Sequence, residues 1–116
     1  MTGRQGAHKV ELTARAERDL RDLARKRPAA EIRQLQAALE DLAFDPLTKT
    51  EPLRGKLKGL RSRHAGRFRI VVKVSSRRVV VWVVGLGWHT SGDRDDIYAV
   101  LARAIERGII DPDALG

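Results

Sequence analysis

The stretch RSRHAGRFRI, Arg61 to Ile70, sets four arginines around one glycine in a segment that otherwise reads as two β-strands meeting at a turn. Strand side chains alternate faces, so the position of the turn decides which arginines share a side of the sheet. Two registers are open. A two-residue turn at Ala65–Gly66 pairs His64 with Arg67 and sends Arg63 to the opposite face. A three-residue loop, His64–Ala65–Gly66, pairs Arg63 with Arg67 and Arg61 with Arg69. Glycine in the last loop position favours the three-residue hairpin, because that residue takes a left-handed conformation there. In that register Arg61, Arg63, Arg67 and Arg69 gather on one sheet face, while Phe68, Ile70, Val72 and Val74 point toward the helices. Four clustered guanidiniums repel one another unless an anion sits among them, and the rigid guanidinium fork matches phosphate oxygens.

Outward from the hairpin, the strand pattern continues. Three strands are expected at about Leu60–His64, Arg67–Val74 and Arg78–Val84, the last two joined by Ser75–Arg77. The unbroken run from Val79 to Val84 fits a central strand covered by helices on at least one side. Upstream, His8–Thr13 alternates as a first strand and ends in a threonine suited to cap a helix. Ala16, Leu20, Leu23 and Ala24 then fall on one helical face between Ala14 and Lys26. Pro28 interrupts the pattern, and a second helix from about Ala29 to Phe44 carries Ile32, Leu35, Leu39 and Leu42 before Asp45-Pro46 stops it.

Leu47–Gly59 reads as a basic loop, and Gly85–Gly92 as a second loop. Asp93–Arg107 reads as a final helix that starts at Asp93 or Asp95 and is ended by Gly108, with an irregular tail. The expected fold is α+β: a small antiparallel-rich sheet, an N-terminal helical hairpin and a C-terminal helix, all helices packed on one face.

The 116 residues suit one domain with its core at about 9–107, burying about 65% of the unfolded surface. The chain has no cysteine, which removes both disulfides and thiolate metal sites and fits a reducing cytoplasm. The start MTGRQGAHK lacks the apolar stretch of a signal peptide, and the longest apolar run, Val79–Gly87, is too short to span a membrane. The net charge of +8 is concentrated: residues 47–91 hold eleven basic side chains against the single Glu51. Such a surplus implies a polyanion such as nucleic acid, or an acidic protein, as partner.

The pattern LRGKLKGLRSRHAGRFRIVVKV (Leu53–Val74), the hydrophobic strand ending in Val84-Gly85, and Tyr98 opening the last helix together resemble the RelE/ParE superfamily of bacterial type II toxins. The resemblance spans roughly residues 9–107. It implies a RelE-like fold and a co-expressed antitoxin as partner. Members similar to RelE cut messenger RNA in the ribosome's decoding site without metal; ParE-like members poison DNA gyrase and lack the catalytic set. By the same resemblance Arg69, in Gly66-Arg67-Phe68-Arg69, falls on the catalytic arginine, with Arg61 and Arg63 at basic positions of the preceding strand. Tyr98 falls on a tyrosine that some RNA-cleaving members use, and the extended loop offers His89 where those members carry an Arg or a His.

Metal-independent RNA cleavage needs a base for the 2′-hydroxyl, a cation for the charge developing at phosphorus, and an acid for the leaving 5′-oxygen. Arginines supply the second but stay charged, so they cannot easily move protons. His89 is a candidate base or acid because imidazole is the ordinary side chain suited to proton transfer near neutral pH, and Tyr98 serves as a base only if neighbouring cations lower its pKa. Trp88 offers a surface for stacking an unpaired base, and Lys56, Lys58 and Arg67 are candidate phosphate contacts. No carboxylate pair for acid–base work, metal-ligand spacing or Gly-x-Ser-x-Gly elbow is present, so no cofactor is expected. The expected partners are messenger RNA, the ribosome and an acidic or amphipathic antitoxin segment covering the basic face.

Overall fold

A computed structural model describes residues 7–115; the opening MTGRQG lies outside the described residues. The elements run β1 (Lys9–Leu12), α1 (Ala14–Lys26), α2 (Ala29–Asp41), α3 (Pro46–Lys49), β2 (Glu51–Pro52), β3 (Arg61–Ala65), β4 (Phe68–Ser75), β5 (Val80–Trp88) and α4 (Ile97–Glu106). Short 3-10 turns occupy Gly55–Leu57 and Pro112–Leu115. One sheet of order β1-β5-β4-β3-β2 is antiparallel except for β1, which lies parallel to β5.

Thr13 does two jobs at the first junction. Its hydroxyl accepts from the Ala16 amide at 3.2 Å to cap α1, and donates to the Val84 carbonyl at 3.2 Å, fixing α1 against β5. The α1–α2 hairpin forms as its apolar stripes require, with Ala16, Leu23, Ile32, Leu35, Leu39 and Leu42 buried on Phe68, Ile70, Val72, Val81 and Val83.

The expectation that all helices share one face is wrong. α4 packs on the other side, where Leu57, Leu60, Val71, Val84, Ile97 and Leu101 form a second core. Val71, which strand alternation sets on the same face as Arg69, is therefore fully buried. Both faces of β4 and β5 are covered, which accounts for a valine run without alternation.

The second expected loop is also corrected, because β5 continues through Gly85 and Gly87 to Trp88. The glycines belong in the strand because α4 lies directly on them. A Cβ built on Gly85 would sit 2.9 Å from a Leu101 methyl carbon, and one on Gly87 would sit 3.4 Å from Ile97. Between Val71/Val72 of β4 and β5 the register shifts: Val71 opposes Gly85 and Val72 opposes Val83, leaving Val84 as a bulge. Helix α4 begins later than expected, at Ile97, with Asp96 rather than Asp93 or Asp95 as its cap.

The hairpin register differs from both sequence alternatives. Ala65 pairs with Phe68, His64 with Arg69, Ser62 with Val71 and Arg61 with Val72, so the turn is Gly66–Arg67. Gly66 has φ +63° in the first turn position, where a type II′ hairpin places glycine. Arg61 and Arg63 then face the α1–α2 layer, Arg69 faces α4, and Arg67 occupies the turn. The four arginines do not form one cluster. No helix among the described residues is long and apolar enough to cross a membrane.

Candidate functional site

Each arginine of the hairpin has a distinct local role. Arg61 donates through Nε to the Thr50 hydroxyl at 2.7 Å and through Nη2 to the carbonyls of Leu47 and Thr50, so it ties β3 to the end of α3. Arg63 pairs with Asp41 at 2.8 Å and also meets the Ala38 carbonyl. Asp41 binds Lys49 as well, and the hydrogen bonds from Lys49 and Arg63 hold its carboxyl below the usual carboxylate range. Arg61 and Arg63 thus secure the helical layer, on the side of the sheet opposite Arg69.

Arg67 stands over Trp88 with its guanidinium carbon 6.0 Å from the ring centroid, and Arg27 stands closer at 4.8 Å. Arg27 in turn pairs through two bonds with Glu31, and that hydrogen bonding lowers the Glu31 carboxyl. Trp88 also packs on Phe68 at 5.1 Å. The tryptophan belongs to the α1–α2 face and its surroundings are already filled, so it does not stand beside the histidine that follows it. Lys56 pairs with Glu106 at 2.6 Å, and Lys58 is exposed on the same loop.

The opposite face carries the most concentrated chemistry. The His89 amide donates to the Arg67 carbonyl at 3.2 Å, so the residue continues β5 and its side chain falls on the α4 side. Its Nδ1 lies 2.6 Å from Oδ1 of Asp96, and its ring rests against Tyr98 with centroids 4.8 Å apart. The Tyr98 hydroxyl is 2.7 Å from that of Ser62 on β3. Arg69 shares this sheet face, on the strand adjacent to His89. Its Nη1 donates to the carbonyls of Gly66 and Phe68, while its Nε is buried without a partner among the described residues.

Asp96 organises the group. Oδ1 accepts from His89 and from the Thr90 amide at 2.8 Å, and Oδ2 accepts from the Tyr98 and Ala99 amides. Burial alone would raise this carboxyl, but the hydrogen bonds from His89, Thr90 and Ala99 outweigh it and hold the carboxyl low. The sequence reading missed Asp96, Ser62 and Glu51, the last pairing across strands with Ser62 and so sharing its face. Only Asp96 had a signal: it is one of three aspartates ahead of the helix, each able to cap it.

This layered architecture, with a helical hairpin on one face of a five-stranded sheet and one helix on the other, is that of the RelE/ParE superfamily of type II toxins. The sequence pattern of the ParE toxin of the type II toxin–antitoxin system parDE matches residues 10–91, and the chain belongs to that family. The match ends before α4, so Asp96 and Tyr98 lie beyond it.

Three solved structures illustrate the likeness. The toxin–antitoxin complex RelBE2 of Mycobacterium tuberculosis has a chain 25% identical, at TM-score 0.63, over 72% of this chain and 99% of that one. The YoeB/ParE toxin of Agrobacterium tumefaciens is 23% identical at 0.60, over 71% and 99%. The isolated Escherichia coli RelE toxin is 23% identical at 0.57, over 85% and 99%. No curated protein matches the sequence.

Proposed function

We propose that this toxin is a metal-independent endoribonuclease that cleaves messenger RNA on the ribosome in the cytoplasm and is restrained by a cognate antitoxin. The observation that carries the reading is the His89 ring held through Nδ1 by Asp96, with Tyr98 against it and Arg69 on the same sheet face. In the reaction, His89 Nε2 takes the proton of a ribose 2′-hydroxyl. The resulting oxygen attacks the adjacent phosphorus, and the bond from phosphorus to the 5′-oxygen breaks. Arg69 balances the charge added at phosphorus, and the departing 5′-oxygen takes a proton, for which the Tyr98 hydroxyl is the second proton-bearing group of this face. Solved relatives include toxin–antitoxin complexes, which supports an antitoxin partner.

A second reading, a toxin that acts by binding gyrase, draws support from the ParE family match and from the occupation of Arg61 and Arg63 in local pairs. One comparison separates the two. Antitoxin-free protein is added to a translation reaction, to naked RNA and to a gyrase supercoiling assay. Ribonuclease action predicts cut messenger RNA, with the rate reduced about 100-fold or more in His89→Ala, as loss of a general base requires, and also reduced in Arg69→Ala. Intact RNA in both RNA reactions sinks the first reading, and inhibited supercoiling then supports the second.

A further inference from the structure

Asp96 is shared between two structures that are usually independent, a helix cap and an oriented imidazole. The Thr90 amide and the Tyr98 and Ala99 amides are obligate donors, and each carboxylate oxygen faces at least one of them, at 2.8 to 3.3 Å. Both oxygens must therefore be acceptors. His89 Nδ1, 2.6 Å from Oδ1, has to bring the proton to that contact. The neutral ring then carries hydrogen on Nδ1 and leaves the Nε2 lone pair free.

We infer that Asp96 is a positioning residue: it fixes the proton of His89 on Nδ1 and caps α4 with the same carboxylate, so that seating the first turn of α4 and arming the histidine are one event. Its role in chemistry rests on the reading of His89 as the proton-transfer group, whereas the tautomer and the coupling stand without it. The ring meets the α4 cap, Asp96, at Nδ1 and packs against Tyr98 in the first turn of α4. Among the described residues only Asp96 makes a hydrogen bond to the imidazole.

Asparagine separates the two duties. It caps helices as well as aspartate does, but it has one oxygen where this position uses two. In Asp96→Asn the oxygen that keeps the α4 cap leaves the NH2 group facing Thr90 and His89. A ring that accepts from that NH2 must carry its proton on Nε2, and a histidine in the wrong tautomer loses its use as a base although its place is unchanged.

The test is a ¹⁵N-correlated NMR spectrum of histidine-labelled protein at about pH 9, where an ordinary imidazole is neutral. Wild type is expected to show hydrogen on Nδ1 of His89, and Asp96→Asn to show it on Nε2 with α4 still folded by circular dichroism. Wild-type protein with hydrogen on Nε2, or a folded variant still protonated on Nδ1, overturns the inference. The wild-type spectrum decides the tautomer even if the variant fails to fold. The coupling is read from amide exchange in His89→Ala, where Tyr98 and Ala99 are expected to exchange about tenfold faster while Leu101 is unaffected. Unchanged rates at those amides overturn the coupling. RNA left intact by a protein with the Nδ1 tautomer counts against the ribonuclease reading alone, and the Nε2 tautomer counts against this inference whatever happens to RNA.

Discussion

The hydroxyls of Tyr98 and Ser62 lie 2.7 Å apart, joining α4 to β3 across the buried side of the sheet. Ser62 is only 3% exposed, so a deleted partner leaves its hydroxyl without water. Tyr98→Phe and Ser62→Ala are each expected to cost about 1 kcal/mol, and the double variant little more than either single one. Urea denaturation of the four proteins measures this, and strictly additive costs would show that the pair contributes no coupling.

The contact of Gly85 with Leu101 makes a second prediction. A methyl group at Gly85 meets a buried leucine, so Gly85→Ala is expected to destabilise by about 1–3 kcal/mol through overpacking. Leu101→Ala alone costs about 2–5 kcal/mol by leaving a cavity. Combined, the two changes should cost clearly less than their sum, because each relieves the other. Thermal unfolding that gives a full sum would mean that α4 shifts to absorb the methyl group.

Val79 stands at φ +58° in the turn before β5, a conformation that β-branched residues rarely adopt, and its side chain is 38% exposed. Val79→Gly removes the strain while surrendering little packing. A gain of about 1 kcal/mol is expected, the relief of roughly 1–2 kcal/mol being offset in part by glycine's chain entropy. A lowered melting temperature would contradict it.

Acid sensitivity has a definite sign. Hydrogen bonds from Lys49 and Arg63 hold the Asp41 carboxyl below its unfolded value in the folded chain. Its contribution is thus fully present above the unfolded value, about 3.9, and is lost as pH falls through the lower folded one. Asp19 acts in the opposite direction: burial raises its carboxyl, so protonation favours the folded state as the pH drops. Below about pH 4, Asp41→Asn should lose stability less steeply than wild type. Parallel stability curves between pH 5 and pH 3 would remove Asp41 from the account.

Much of the fold was readable because burial writes a period into the chain. The α1 and α2 stripes, the three strands after residue 60 and the last helix all follow from apolar spacing. The placement of α4 was not readable. Gly85 and Gly87 look like loop residues until a helix lies against them, and a strand of valines does not say whether one face or both are covered. The arginines misled for a related reason, since Arg61 finds Thr50 and Arg63 finds Asp41 on segments that local pattern does not connect to them. His89 and Tyr98 were legible as chemically suited side chains. Their meeting was not, because it depends on Asp96 capping α4.

The extra residue at Val84 has an effect at the far end of its strand. In an uninterrupted strand, residue 89 would share a face with Val81 and Val83, and residue 88 would take the other. The bulge reverses that parity, so Trp88 faces the helical hairpin and His89 meets Asp96 and Tyr98. Removing this one valine would turn the end of β5 inside out, exchanging an indole for an imidazole with every other residue of the group unchanged. Which side of the sheet this toxin can use for chemistry is thus settled five residues before the histidine, by a count rather than by any chemical group.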